Sequence, residues 1–400
     1  MYDIAIVGAG PGGSTAGRQL AKMGFNVCLI DRSIFPRDKP CGGGFSPRLL
    51  SEFPYVRRRS SDFINSVSHC GVIHSPNGHV VLTGRSDMIM TLRTDFDSTL
   101  FRLAIEAGAC PTAPFNVVSV RINRDSVAVL SSQGKEITAR AVIGADGVSS
   151  VVARQTNLNR RWPSRSVTAC KVKEVPTTES DIGSRYGQDR EYHLFTNVGG
   201  LPGYGWVLPK RSTVNVGLGV VASHARRLAS LFSLFTRMLK RSSLISENTD
   251  LSRARGALVP TSGPIAVSFT RRCLLVGDSA GMVNPLTGGG IAYAMHAGRV
   301  AGVILGRALE HDHLEADSLM RYQQAWHREF GSAVRGQLVA QKLFTGPFAG
   351  VLFEIGNRDT ELQKMAASFM SGSDGEGNKI GSIALRGLRV CLREALWQKI

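Results

Sequence analysis

Apolar positions follow two different patterns along the chain. Residues 2–7 (YDIAIV) and 26–31 (NVCLID) are apolar runs of the kind that form strands buried on both faces, and residues 12–23 between them are a small-residue helix. Strand, helix and strand within 31 residues predict a βαβ unit. Two later segments begin in the same way. Residues 136–147 (EITARAVIGADG) predict a strand ending in Gly144, Asp146 and Gly147, with a helix start at Ser149 or Ser150. Residues 273–290 (CLLVGDSAGMVNPLTGGG) predict a strand that runs through Gly277 and Asp278 into a glycine-rich loop. After Thr94 or Asp95, either of which can cap a helix, Phe96, Leu100, Leu103, Ala104 and Ala107 recur at helical spacing.

The remaining stretches read differently. Residues 63–91 contain CGVIHSPNGHVVLTG, where Asn77 and Gly78 suit a tight turn between two β-rich runs; His74 and His79 flank that turn and are expected to be exposed. YGWVLPKRSTVNVGLGV reads as two strands about a turn near residues 209–212, with Tyr204 and Trp206 on one face by period two. In residues 223–242 one helical face collects Leu228, Leu231, Phe232, Phe235 and Leu239, which predicts a helix lying over a sheet. Residues 380–400 align Ile380, Ile383, Ala384, Leu388, Cys391, Leu392 and Leu396 with Arg386, Arg389 and Arg393 nearby. That pattern fits an interfacial amphipathic helix or one docked on its own domain. SGSDGEGNK (371–379) reads as a linker.

Composition narrows the class. A chain of 400 residues with 43% apolar content can fill two or three cores, and it contains no run resembling a membrane span. The 48 Lys and Arg against 31 Asp and Glu leave a charge of +17, compatible with nucleic acid, anionic membrane or phosphorylated substrates. RNP, zinc-finger and basic-zipper signatures are absent, so no nucleic-acid partner is expected. Seven scattered cysteines without CxxC or Cys/His spacing indicate neither a disulfide framework nor a metal site. A strand opening the sequence leaves no room for a signal segment, and a cytoplasmic location is expected.

The first chemical signal is the turn after residues 2–7. Gly8, Gly10 and Gly13 form GxGxxG, where missing side chains permit a tight turn, close approach of a pyrophosphate, and close helix packing. The helix N-terminus then faces the phosphates. Asp31 closes the next strand 23 residues after Gly8, where a carboxylate accepts hydrogen bonds from a ribose hydroxyl. The pattern predicts dinucleotide binding without separating NAD from FAD.

Taken in order, GAGPGG, GADG and LLVGDSAGMVNPLTGGGI resemble FAD enzymes of the aromatic-hydroxylase superfamily. KPCGGGF at residues 39–45, YGWVLP at 204–209 and NPLTGGGI resemble, within it, the geranylgeranyl reductase family. The resemblance spans residues 1 to about 300 and implies an α/β fold. A Rossmann-like FAD-binding domain of the glutathione reductase and p-hydroxybenzoate hydroxylase type would comprise residues 1–62, 92–155 and 255–340. An inserted antiparallel substrate domain would take 63–91 and 156–254, and C-terminal helices 341–400. FAD contacts are implied at Gly8, Gly10, Gly13, Asp31, Arg32, Cys41, Gly42, Gly44, Arg93, Asp278, Gly290 and Ile291, with Gly288, Gly289 and Gly290 offering amides to the flavin. Tyr204 and Trp206 would wall an apolar tunnel for the substrate, and Cys41 is the catalytic candidate beside the isoalloxazine.

The same resemblance implies FAD-dependent saturation of a geranylgeranyl chain on a lipid, a diphosphate, a chlorophyll precursor or a quinone. An isolated alkene needs a proton on one carbon and hydride on the other, in a site that excludes water. NAD(P)H or ferredoxin would supply electrons, and GxGxxG occurs once in the chain. A monomer with reversible membrane-surface contact is expected. The competing readings are a monooxygenase or halogenase of the same superfamily and a non-catalytic flavoprotein; YGWVLP holds one tryptophan where a halogenase WxW segment has two.

Overall fold

Strand β1 (Tyr2–Val7) is hydrogen-bonded on both sides to parallel neighbours, β2 (Val27–Ile30) and β9 (Glu136–Gly144). The computed structural model describes residues 1–346, 349–371, 382–383, 385–387 and 389–390. From β1 the sheet extends through β2 to β6 (Cys110–Thr112), and through β9 to β16 (Cys273–Leu275) and the antiparallel β15 (Phe269–Thr270). β7 (Val117–Ile122) and β8 (Val127–Ser131) form a meander onto β9. Ile4, Ala5, Ile6, Val27, Leu29, Ile30, Val142 and Ile143 are all fully buried. Their uninterrupted apolar runs are those of a parallel sheet buried on both faces.

The second sheet runs β14 (Arg255–Val259), β10 (Thr168–Pro176), β13 (Thr213–Val221), β12 (Gly203–Pro209), β11 (Tyr192–Thr196), β4 (Ile64–His74), β5 (Val81–Thr91) and β3 (Gly44–Phe45). The β4–β5 and β12–β13 hairpins fall where the alternating runs predict them. At the first turn Gly78 has a positive φ, and the Asn77 side chain accepts from Ser75 Oγ and the His79 amide. The sheet is mixed rather than purely antiparallel, because β11 pairs with β4 in parallel. Val214, Val216, Leu218 and Val220 of β13 face a core shared with Phe232, Phe235 and Leu239 of the helix Leu228–Arg241. That helix is the cover predicted for the sheet.

The chain divides into two compact units. One comprises Met1–Lys39, Arg93–Pro163 and Val259–Val334; the other comprises Pro40–Leu92, Ser164–Leu258 and Arg335–Ile400. All of the linker predicted at 371–379 except Ser371, and most of the helix predicted for 380–400, lie outside the described residues. Of the latter, Arg386 forks onto Asp359 at 2.7 and 3.0 Å, and Val390 is buried. No single helix among the described residues is long and apolar enough to cross a membrane.

Candidate functional site

In the first unit the turn between β1 and the helix Pro11–Lys22 is closed by contact between glycines. A methyl group on Gly13 would stand 1.8 Å from the Gly8 carbonyl oxygen, and one on Gly8 would stand 2.3 Å from the oxygen of Ala145. Gly10 is different: a methyl there meets only Arg37 Nη2, at 3.6 Å. The helix has no capping side chain and no acid in its first turn, so its leading amides are left for an anion. Residues and space therefore fit a dinucleotide pyrophosphate.

Asp31, at the end of β2, accepts from the amides of Ala9 and Ser33, each at 3.0 Å. Arg37 lies alongside, its Nε 3.5 Å from Asp31 and its Nη1 3.0 Å from Asp97, with Phe35 beneath the guanidinium. Asp97 is fully buried and takes a two-pronged bond from Arg93, at 2.7 and 2.8 Å. Burial alone would raise the Asp97 carboxyl, but Arg93, with Arg37 and Lys39, holds it below the ordinary carboxylate range. The helix begins at Arg93, one residue before the expected caps, and the arginine turns its fork onto its own helix. Arg32 is exposed.

Asp278 follows β16, and Lys39 stands 3.6 Å from it. In the glycine loop beyond, the Gly288 amide donates to the Asn284 carbonyl and the Gly289 amide to Thr287 Oγ1. Two of the three amides expected to serve the flavin are thus used by the loop itself, because a compact turn satisfies its own backbone first. Gly290 caps the helix Ile291–Glu310 without a side-chain bond, so the open donors are those at the start of that helix. Asp146 of GADG serves its own segment. It accepts from Ser150 Oγ and from the amides of Val151 and Val152, while Ser150 caps the helix Val151–Gln155 by accepting from the Ala153 amide. Burial raises its carboxyl against those bonds.

The other candidates lie in the second unit. Cys41, Gly42 and Gly44 border one face of the sheet, where Tyr204 and Trp206 stack at 5.6 Å. Trp206 lies over Gly217, whose added methyl would meet its ring at 2.0 Å; Cys170 lies over Gly219 at 2.7 Å by the same measure. A methyl on Gly42 would stand 2.8 Å from Leu208 and 3.4 Å from Trp206 Nε1. Burial pushes the Cys170 thiol up to about 12, opposed by a hydrogen bond with Tyr204. His74, expected at the surface, is instead partly buried and lies 3.1 Å from His193 across the parallel β4–β11 pair. Its ring also stacks on Phe195 at 4.2 Å.

Sequence reading missed Arg37, Asp97, Asn215, Glu174 and His193. The PRDKP segment places cations beside the PCGGG stretch and could have pointed to Arg37, but the partners of such residues are set by tertiary pairing.

Fold and cradle together define a dinucleotide-binding protein, and the family match makes it an FAD-binding flavoprotein. Residues 1–329 match the family described as FAD binding domain. The chain is 31% identical to digeranylgeranylglycerophospholipid reductase 2 of Methanopyrus kandleri, over 86% of this chain and 87% of that one. It is also 31% identical to menaquinone reductase of Mycobacterium tuberculosis strain H37Rv, over 76% of each. A solved geranylgeranyl bacteriochlorophyll reductase-like protein from Thermoplasma acidophilum has the same fold, with a TM-score of 0.77, 22% identity and coverage of 96% of this chain and 98% of that one. The chain belongs to the geranylgeranyl reductase family of FAD-dependent oxidoreductases.

Proposed function

We propose that the protein saturates carbon–carbon double bonds of a geranylgeranyl chain carried on a lipid, diphosphate, chlorophyll precursor or quinone. The reading is carried by the 31% identity, across 86% of the chain, to a digeranylgeranylglycerophospholipid reductase. The menaquinone reductase relative extends the substrate class to a prenyl tail on a ring.

When bound, FAD in its reduced form supplies the hydride equivalent that an alkene requires. The protein's part is binding, orientation and exclusion of water. Gly8, Gly10 and Gly13, with the leading amides of Pro11–Lys22, hold the pyrophosphate. Asp31 takes ribose hydroxyls, and Arg37, 3.5 Å from it, offsets the diphosphate charge. Asp278 takes ribityl hydroxyls, and the amides of Gly290 and Ile291 stabilise negative charge on the flavin. Tyr204 and Trp206 give the prenyl chain an apolar wall, which protects the developing carbocation from water. Cys41 is the candidate for direct participation. Reversible contact with an anionic lipid surface is consistent with the +17 charge.

The test is product mass. The FAD-loaded protein, reduced with dithionite without oxygen, is incubated with geranylgeranyl glycerophospholipid and, separately, with a prenylated quinone. Gain of two hydrogens per bond on either substrate supports the proposal and ranks the head groups. Lipid and quinone left unsaturated without oxygen, with hydroxylated or halogenated products forming once oxygen is admitted, would overturn it.

A further inference from the structure

Asn215 of β13 is buried, and both ends of its amide are in use. Its Oδ1 accepts from Trp206 Nε1 at 2.7 Å, while its Nδ2 donates to the Cys41 carbonyl at 3.0 Å and to Glu174 Oε2 at 2.7 Å. The indole can only donate, so this assignment of the amide oxygen and nitrogen is fixed by chemistry. Glu174 is itself held by Thr213 Oγ1 at 2.5 Å and by Lys210 Nζ at 2.8 Å, the lysine being 1% exposed. On its other side the Cys41 loop is tied to β5: the Thr91 amide donates to the Gly43 carbonyl at 2.8 Å. Gly43 has a φ of +75°, and a methyl there would stand 2.1 Å from the Thr91 oxygen.

From this geometry we infer that Asn215 is a positioning residue of the reductase reaction. One amide sets both the Cys41–Gly44 loop and the plane of the Trp206 ring, and the Glu174–Lys210 ion pair fixes the amide. The inference rests on the proposed prenyl reduction for its catalytic consequence, but not for its structural one. Asn215 touches no reacting atom; it acts through Cys41 and Trp206. A carboxylate at this position keeps the acceptor for the indole and loses the donor to Cys41, while adding negative charge beside Glu174. A leucine loses all three bonds with little change in volume.

The experiment uses the full-length, FAD-loaded protein and its Asn215→Leu, Asn215→Asp and Trp206→Phe variants. Peptide-resolved mass spectrometry reads the rate at which iodoacetamide alkylates Cys41, with Cys110 as the internal exposed reference. Loss of hydrogen bonds of ordinary strength corresponds to about a tenfold rise in Cys41 labelling relative to Cys110 in both Asn215 variants. Trp206→Phe, which removes the indole donor and part of the ring but leaves the bond from Asn215 to Cys41, should raise it less. With reduced protein and prenyl lipid, kcat should fall about tenfold or more while KM moves less, as for a group that orients rather than binds. Unchanged Cys41 labelling in a folded, FAD-loaded Asn215 variant overturns the inference. So does unchanged kcat where the parent protein turns over. If Asn215→Leu does not fold, Asn215→Asp and Trp206→Phe decide the matter by the same labelling. If labelling rises but even the parent saturates no prenyl lipid, the anchoring of the Cys41–Gly44 loop by Asn215 stands and the proposed function fails.

Discussion

Arg37 Nη1 lies 3.0 Å from Oδ2 of Asp97, a carboxylate with no exposed surface, while Arg37 Nε lies 3.5 Å from Asp31. One arginine thus joins the acid at the end of β2 to an acid buried in the helix that starts at Arg93. Asp97→Asn keeps the shape and removes the charge, leaving Arg93 and Arg37 facing a neutral group. Breaking a buried pair in this way costs about 3–5 kcal/mol. The variant should melt well below the parent and lose FAD on gel filtration; an unchanged melting temperature with full flavin content would contradict the account.

Asp31→Ala removes the proposed ribose acceptor and one partner of Arg37. FAD affinity should weaken by about tenfold or more, as expected for loss of hydrogen bonds to a charged group. Fluorescence titration of the apoprotein measures it, and equal affinity would remove Asp31 from the cofactor site.

Gly217→Ala tests the seat of Trp206. The added methyl would stand 2.0 Å from the indole ring, so the ring must leave its place over β13. Overpacking of this kind costs about 1–3 kcal/mol. A changed tryptophan emission maximum and loss of prenyl reduction at full FAD content are expected. A shifted emission maximum with unchanged turnover would show that the ring's position is immaterial, and unchanged emission would show that the ring is not seated against Gly217.

The His74–His193 pair gives a pH dependence of known sign. Burial lowers His74 to about 4; burial and then His74 lower His193 to about 3. Both lie below the ordinary value near 6.5, so the folded chain binds fewer protons than the unfolded one as pH falls. Their contribution is complete above about pH 6.5 and is lost progressively as pH falls through the two folded values. Asp97, also depressed, adds stability above its ordinary value of 3.8 that is lost below it, a lower window. His74→Leu combined with His193→Leu should flatten the decline in melting temperature between about pH 6.5 and 4. A slope identical to the parent's would show that the pair does not titrate with unfolding.

The sequence disclosed what short-range chemistry determines. GAGPGG is a single local turn, the β1 and β2 runs are buried on both faces, and Asn77–Gly78 closes a hairpin within a few residues; each can be read in place. Tyr204 and Trp206 shared a face because strands alternate. Partnerships formed by tertiary pairing were not legible. His74 meets His193 across 119 residues because β11 lies parallel to β4, and Asn215 reaches the Cys41 carbonyl across 174. Arg93 read as a ligand-facing cation at a helix mouth because nothing local marks Asp97, one helical turn on, as buried. Gly288 and Gly289 promised amide donors, yet the loop bonds to itself through Asn284 and Thr287.

The central claim is that reduced FAD in this protein is oxidised by an isoprenoid double bond. Oxygen-free absorbance of the dithionite-reduced holoprotein, freed of excess reductant and mixed with limiting geranylgeranyl glycerophospholipid, tests it most directly. The account predicts return of the oxidised flavin spectrum, one flavin equivalent for each bond saturated, with lipid mass rising by two hydrogens at each step. A flavin that stays reduced beside unchanged lipid and reoxidises only when oxygen is admitted would contradict it.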